Sequence, residues 1–505
     1  MNTFIHSLEE QFNYKFTENG AVAMESTGSK VYDLFALGGA YRTRSEEDCI
    51  LLFKNAFEED KTLALKALFY LRDCRGGQGE RRFFRICFKW LAIQHPEVAN
   101  NLFYLLPEYG RWDDLFILFD TSLQEEMLRF MLYQLNKDML SLSKENQAVS
   151  LLAKWLPSEN AHSKEGKIRA AIIRNFIGCT PKEYRKMLSE LRERINVLER
   201  LMSAGRWDEI EFDKIPSKAG LVYRNAFARR DIIAQRYREF AQNKNTKVNA
   251  DTLYPYEVVE KAIGAMNYDG WYNYGYEYKF DETERAMINK YWENLPNYLE
   301  GKDPSMLCVI DTSGSMYGRP INVAISLGLY CAERMTGPFA NKYISFSSHP
   351  QLIKTEGVDF CDKVQRIYRT NLCENTDLPA VFDLLLQTAL KKGVKKSDLP
   401  ETIVVISDME IDYISARRGW TEENTVTEME KIRKKWASYG FKLPKLVYWN
   451  VNARNNTILD KGPNVSFVSG CSPIIFKQVL TGKTGVELML EVLLGERYKD
   501  VKIFE

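Results

Sequence analysis

Residues 306–316 read Met306-Leu-Cys-Val-Ile-Asp311-Thr-Ser313-Gly-Ser315-Met316, an apolar run that ends on an acid and turns at once into a tight loop. Five successive apolar residues predict a strand buried on both faces of a parallel sheet, with the loop at its carboxyl end. That loop carries one carboxylate and two hydroxyls at alternate positions, so all three oxygens can be aimed at one point. A hard divalent cation takes such ligands, and Mg2+ commonly keeps a position open for water or for a partner's oxygen.

Working outward, two further segments offer oxygens in the same setting. Thr402-Ile-Val-Val-Ile-Ser-Asp408 is a second apolar run ending on an acid, and Asn375-Thr376-Asp377 precedes an expected helix. Asp311, Ser313, Ser315, Thr376 and Asp408 thus form an all-oxygen set from three loops, the ligands expected for Mg2+ or another divalent cation. Strands are expected at 306–310, about 343–347, 402–407, 445–450 and 465–468, and helices near 320–334, 378–391, 421–438 and 474–495. The alternation predicts a doubly wound α/β, Rossmann-like domain over residues 301–505. Asn297 to Pro304, with Gly301, reads as the linker before it. His349 follows the second strand and could lie on the same rim, but a lone surface histidine is the preferred account.

Residues 1–300 show the helical period instead. Ser45 and Asp48 have capping-box spacing, and Thr180-Pro181-Lys182-Glu183 combines an N-cap, a first-turn proline and a third-position acid. The phrase Gly110-Arg111-Trp112-Asp113-Asp114-Leu115 recurs as Gly205-Arg206-Trp207-Asp208-Glu209-Ile210. Two copies fit stacked helical hairpins that reuse one turn with a tryptophan wedged beneath it.

The net charge of +1 over 505 residues excludes a global polycation, so a nucleic-acid surface must be local. Residues 61–89 hold 8 basic and 2 acidic side chains, and residues 214–247 hold 9 and 2. The first stretch contains Arg72, Arg75, Arg81 and Arg82 around Gly76-Gly-Gln-Gly79, whose glycines could let backbone N–H groups approach an anion. The second contains Arg224, Arg229, Arg230, Arg236 and Arg238, with Tyr223, Phe227 and Tyr237 interleaved as stacking partners for unstacked bases. Solvated helix faces are the ordinary alternative for both. Nine cysteines without CxxC spacing fit reduced thiols in a cytoplasmic protein, and four histidines with no i, i+4 pair argue against a zincin. No signal pattern and no run of 18 apolar residues is present, so no membrane partner is expected.

The Asp-x-Ser-x-Ser loop, the downstream Thr376 and the strand-terminal Asp408 resemble the metal-ion-dependent adhesion site of von Willebrand factor A domains. In that family Asp311, Ser313 and Ser315 would form the first loop, Thr376 the second and Asp408 the third. A haloacid-dehalogenase site matches less well, because Ser313 stands where its second acid belongs. The resemblance implies ligation, not enzymatic catalysis, with the cation's open position taking an Asp or Glu from a protein partner. With Arg75-Gly-Gly-Gln-Gly-Glu-Arg81, the Gly-Arg-Trp-Asp phrases and Lys154-Trp-Leu-Pro157, the whole chain resembles the TROVE (Ro ribonucleoprotein) family, close to its bacterial and phage group. That resemblance implies a HEAT-like helical ring that binds small noncoding or misfolded RNA, followed by the A domain. The alternative reading is a metal-dependent protein-interaction scaffold without RNA binding.

Overall fold

A computed structural model describes residues 13–144, 147–263, 281–301, 305–347, 349–370, 376–411 and 427–503. Its first part is mainly helical. The longer helices include Lys30–Leu37, Glu46–Glu59, Lys61–Arg72, Arg81–Gln94, Gln124–Leu142, Pro181–Arg194, Ser217–Arg229 and Asp231–Gln242. The start signals act as their chemistry dictates. Ser45 Oγ accepts the Asp48 N–H at 3.0 Å, and Thr180 and Glu183 cap each other's backbone N–H, each worth about 1 kcal/mol. The repeated phrase forms a 3-10 turn both times, at Trp112–Leu118 and Trp207–Glu209. Trp112 stacks on Phe130 and Trp207 is buried beside Phe227.

A short hairpin precedes the helices, pairing β1 (Tyr14–Phe16) antiparallel to β2 (Val22–Met24). Three residues per strand are too few for alternation to show in the sequence. The second part is a six-stranded mixed sheet of β3 (Met306–Asp311), β4 (Lys342–Phe346), β5 (Leu352–Lys354), β6 (Thr402–Ser407), β7 (Lys445–Asn450) and β8 (Val465–Ser469). The order is β5-β4-β3-β6-β7-β8, parallel throughout except for β5. β3 and β8 are buried at every residue, as their unbroken apolar runs require. Three features depart from expectation: β5 and the helix Phe360–Thr370 have no counterpart among the expected elements, and the expected helix at 474–495 is two helices, Ile474–Val479 and Gly485–Leu493. Gly482 breaks it with φ +83°. Of the helix expected at 421–438, Glu428–Ser438 is present and residues 421–426 lie outside the described residues. Asn375 also lies outside them.

The two parts share one hydrophobic core. Residues 297–301, expected as a linker, are docked: Leu299 is buried and the Tyr298 N–H donates to Tyr330 Oη at 2.9 Å. The opening segment is bound to the last strands of the sheet. Met24 bridges to Ile458, the Phe467 N–H donates to Tyr32 Oη (3.0 Å), and the Gly39 N–H donates to Ser469 Oγ (3.0 Å).

Candidate metal centre and candidate nucleic-acid interface

The strand order reverses between β3 and β6, and the crevice beyond such a reversal is where open sheets hold ligands. Asp311 ends β3 and Asp408 follows β6; both are 0% exposed. Asp311 accepts the Ser313 N–H on Oδ1 (2.9 Å) and the Ser407 hydroxyl on Oδ2 (2.5 Å). Ser313 Oγ lies 3.1 Å from Ser315 Oγ, and Ser315 in turn bonds Asp408. Thr376 is buried and its hydroxyl donates to the Glu410 carbonyl at 3.4 Å. The five expected residues therefore converge, four through their side chains and Thr376 through the loop that carries Asp408. Met409, at φ +68°, makes the turn of that loop.

Burial, and then the charge of Asp408, pushes the Asp311 carboxyl up to about 7. Burial also raises Asp408, opposed by the Glu410 N–H and Arg454. Two facing carboxylates and adjacent hydroxyls, short of positive charge, fit a divalent cation's oxygen preference. Sequence reasoning missed three residues here. Arg454 Nη2 lies 3.1 Å from Asp408 Oδ2, and its Nη1 lies 2.7 Å from Glu18 Oε2 of the opening hairpin. Glu410 is fully buried and accepts the Glu18 N–H (2.7 Å) and the Thr457 hydroxyl (3.0 Å). No local pattern could find Glu18, which reaches the site only through the fold. His349 is exposed, with its N–H on Ser347 Oγ (3.2 Å).

The helical part holds a cavity of about 1080 Å3, walled by segments drawn from Arg42 to Glu257 and completed by Arg319 of the helix Arg319–Arg334. Arg75, Arg81, Arg82, Arg111, Lys154 and Arg319 line it, with Trp155, Tyr254 and Tyr256 between them. The Arg111 guanidinium sits 5.0 Å over the Trp155 ring, and Lys154 Nζ is 5.8 Å from the same ring. Arg81 has no ion pair among the described residues; burial, then Arg85 and Arg111, lower its pKa. Arg82 and Arg75 donate to the carbonyls of Arg44 and Glu108 and keep their charge uncompensated by those bonds. Arg111, Lys154, Trp155 and Arg319 were not assigned from sequence, although the Gly-Arg-Trp and Lys-Trp-Leu-Pro phrases pointed to the first three.

Several expectations are corrected. Arg72 also borders the cavity but is 2% exposed and bound to Asp114 at 2.6 Å, which holds Arg85 as well. It braces the wall. Most of the glycine loop's backbone N–H groups are not offered to an anion, because those of Gly77, Gln78, Gly79 and Glu80 are spent on the carbonyls of Asp73, Tyr70, Asp73 and Leu71. Its glycines supply room instead. A Cβ on Gly77 would stand 2.1 Å from the Tyr70 oxygen, and one on Gly79 (φ +64°) would stand 1.6 Å from Tyr254 Oη. The second arginine cluster lies off the cavity wall. Arg224 pairs with Glu284 (2.8 Å), Arg236 donates to the Asp208 and Ile210 carbonyls (both 2.7 Å), and Arg230 covers Trp207 at 4.9 Å. Arg229 and Arg238 are exposed. Phe227 and Tyr237 are buried in the core and present no stacking face. Tyr and Trp crowd between residues 254 and 292, and the middle of that stretch, 264–280, lies outside the described residues.

Two family models match the chain. One, a domain of unknown function (DUF2828), covers residues 17–131 and 122–302; the other, also a domain of unknown function (DUF7788), covers residues 305–500. An uncharacterized protein of Acanthamoeba polyphaga mimivirus is 28% identical over 95% of this chain and 87% of its own length.

Proposed function

The chain belongs to the DUF2828 family, and from its geometry we propose an RNA-binding protein of the TROVE (Ro) type, with a von Willebrand A-type domain at its carboxyl end. The observation that carries the reading is the cavity of the helical part, where Arg75, Arg81, Arg82 and Arg111, which have no ion pair among the described residues, share the wall with aromatic rings. Guanidinium groups take phosphates in two-pronged bonds, and exposed rings stack on bases freed from a duplex. The ligand is the single-stranded part of a small noncoding or misfolded RNA, held inside HEAT-like repeats that close into a ring around the cavity.

The second element is Mg2+ or a similar cation on Asp311, Ser313, Ser315, Thr376 and Asp408. When bound, the ion supplies one point of ligation for an acidic residue of a partner protein, and the reading assigns it no catalytic step. The convergence of three loops on two undercompensated carboxylates supports it. A cytoplasmic location suits the eight described cysteines, all free thiols. No described helix is long and apolar enough to cross a membrane.

Electrophoretic mobility shifts with cellular small RNA at rising salt test the reading. Retention that weakens steeply with salt is expected. Micromolar protein that shifts no RNA would overturn it and leave the scaffold alternative, in which both parts bind protein.

A further inference from the structure

The undercompensated carboxylate pair already has a cation beside it. Arg454 belongs to the stretch between β7 and β8, and its guanidinium bridges buried Asp408 (3.1 Å) and half-exposed Glu18 (2.7 Å). Asp311, Asp408, Glu410 and Glu18 bring four carboxylates to this corner. The basic groups around it are Arg454 itself, Lys15, which feels the charge of Glu410, and Arg44, which is spent on Asp48 and the Arg454 carbonyl. Arg454 is therefore the guanidinium in direct contact with the pair.

We propose that Arg454 is a tethered counter-cation, displaced when a divalent cation enters between Asp311 and Asp408. The inference rests on the metal reading given above. A dication bound to Asp408 and a guanidinium on the same carboxylate repel each other, so occupation by one opposes the other. The displaced arginine does not move alone. Glu18 holds its other face, and Glu18 sits at the tip of the β1–β2 hairpin. That tip is fastened to the Asp408 loop by Thr17 on the Ile411 carbonyl (2.7 Å), Asn19 on the Glu410 carbonyl (2.7 Å) and the Glu18 N–H on Glu410. Cation binding accordingly loosens the hairpin tip, and a docked tip weakens cation binding, since linkage is reciprocal.

The test uses the full chain freed of metal by chelation and titrated calorimetrically with MgCl2. Arg454→Gln is expected to bind Mg2+ about tenfold more tightly than the parent, the scale of one neighbouring unit charge. Arg454→Lys keeps the charge and is expected to stay near the parent affinity, which separates charge from packing. Saturating Mg2+ is expected to speed hydrogen exchange of the amides at 17–20 in the parent. Equal Mg2+ affinity in parent and Arg454→Gln, or unchanged exchange at 17–20, overturns the displacement while leaving the metal site standing. No Mg2+ binding by either protein overturns the metal reading and this inference with it. Should Arg454→Gln fail to fold, Arg454→Lys binding tenfold more tightly than the parent, or unchanged parent exchange, would still refute the proposal.

Discussion

Two loops in this chain look alike as ligand binders, and the fold treats them in opposite ways. The glycine-rich loop after Arg72 has the N–H groups of Gly77 to Glu80 spent on local carbonyls, and its Asp73 carboxylate is engaged by Arg497 (2.8 Å) and Tyr498 (3.2 Å) from the far end of the chain. The loop after Asp311 gathers two carboxylates that its surroundings leave short of positive charge. A loop with the right residue types binds a ligand only if the fold leaves those groups wanting one. In the first loop the wanting was satisfied internally and passed outward, to the arginines of the cavity wall.

The comparison breaks hardest at Asp73. Asp73→Ala removes a fully buried carboxylate and strands Arg497 and Tyr498, so urea denaturation should show a loss of about 3 kcal/mol. A loss below about 1 kcal/mol would mean that the loop is not held from within. Next comes the cavity. Trp155→Ala should weaken RNA retention about tenfold at fixed salt, the worth of one stacked base, with the melting temperature little changed because the ring is only half-buried. Unaltered affinity would remove Trp155 from the binding wall.

Asp311→Asn should act with the opposite sign to Asp73→Ala. The folded pKa of Asp311 lies above its unfolded value, so ionising it penalises the fold, and the penalty grows as pH rises from about 4 towards 7. Without divalent cations the variant should therefore gain about 1 kcal/mol at pH 7.5 and nothing near pH 4. Stabilisation by Mg2+ should disappear at the same time. A variant less stable than the parent at pH 7.5 would show that the pair is compensated after all. The smallest effect is expected from Arg229→Ala with Arg238→Ala, both exposed and off the cavity. Stability should shift by under about 0.5 kcal/mol, and RNA affinity should hold within twofold. A larger loss of affinity would restore the second cluster to the interface.

Much of the sheet was legible because buried parallel strands are unbroken apolar runs. β3, β6, β7 and β8 fall within a residue of their expected ends. The five candidate ligands were legible for a related reason, as each lies at or just beyond a strand end or helix start. The arginines were harder. Arg72 and Arg81 look alike in sequence, and what separates them is Asp114, placed by a turn more than 30 residues away. Glu18 and Arg454 could not be found at all, since they meet only when the first hairpin reaches the last strands. Short β1, β2 and β5 left no periodicity to read.

That hairpin has a consequence for the making of the protein. Thr17 and Ile411, which bond to each other, stand 394 residues apart. At roughly 5–20 residues per second, translation separates them by about 20–80 seconds. For that interval the hairpin tip has no Asp408 loop to close upon, while the helices behind it can already pack. Docking of the hairpin tip thus waits on the Asp408 loop and on Arg454, and a product stalled before them would betray itself by a loose hairpin tip.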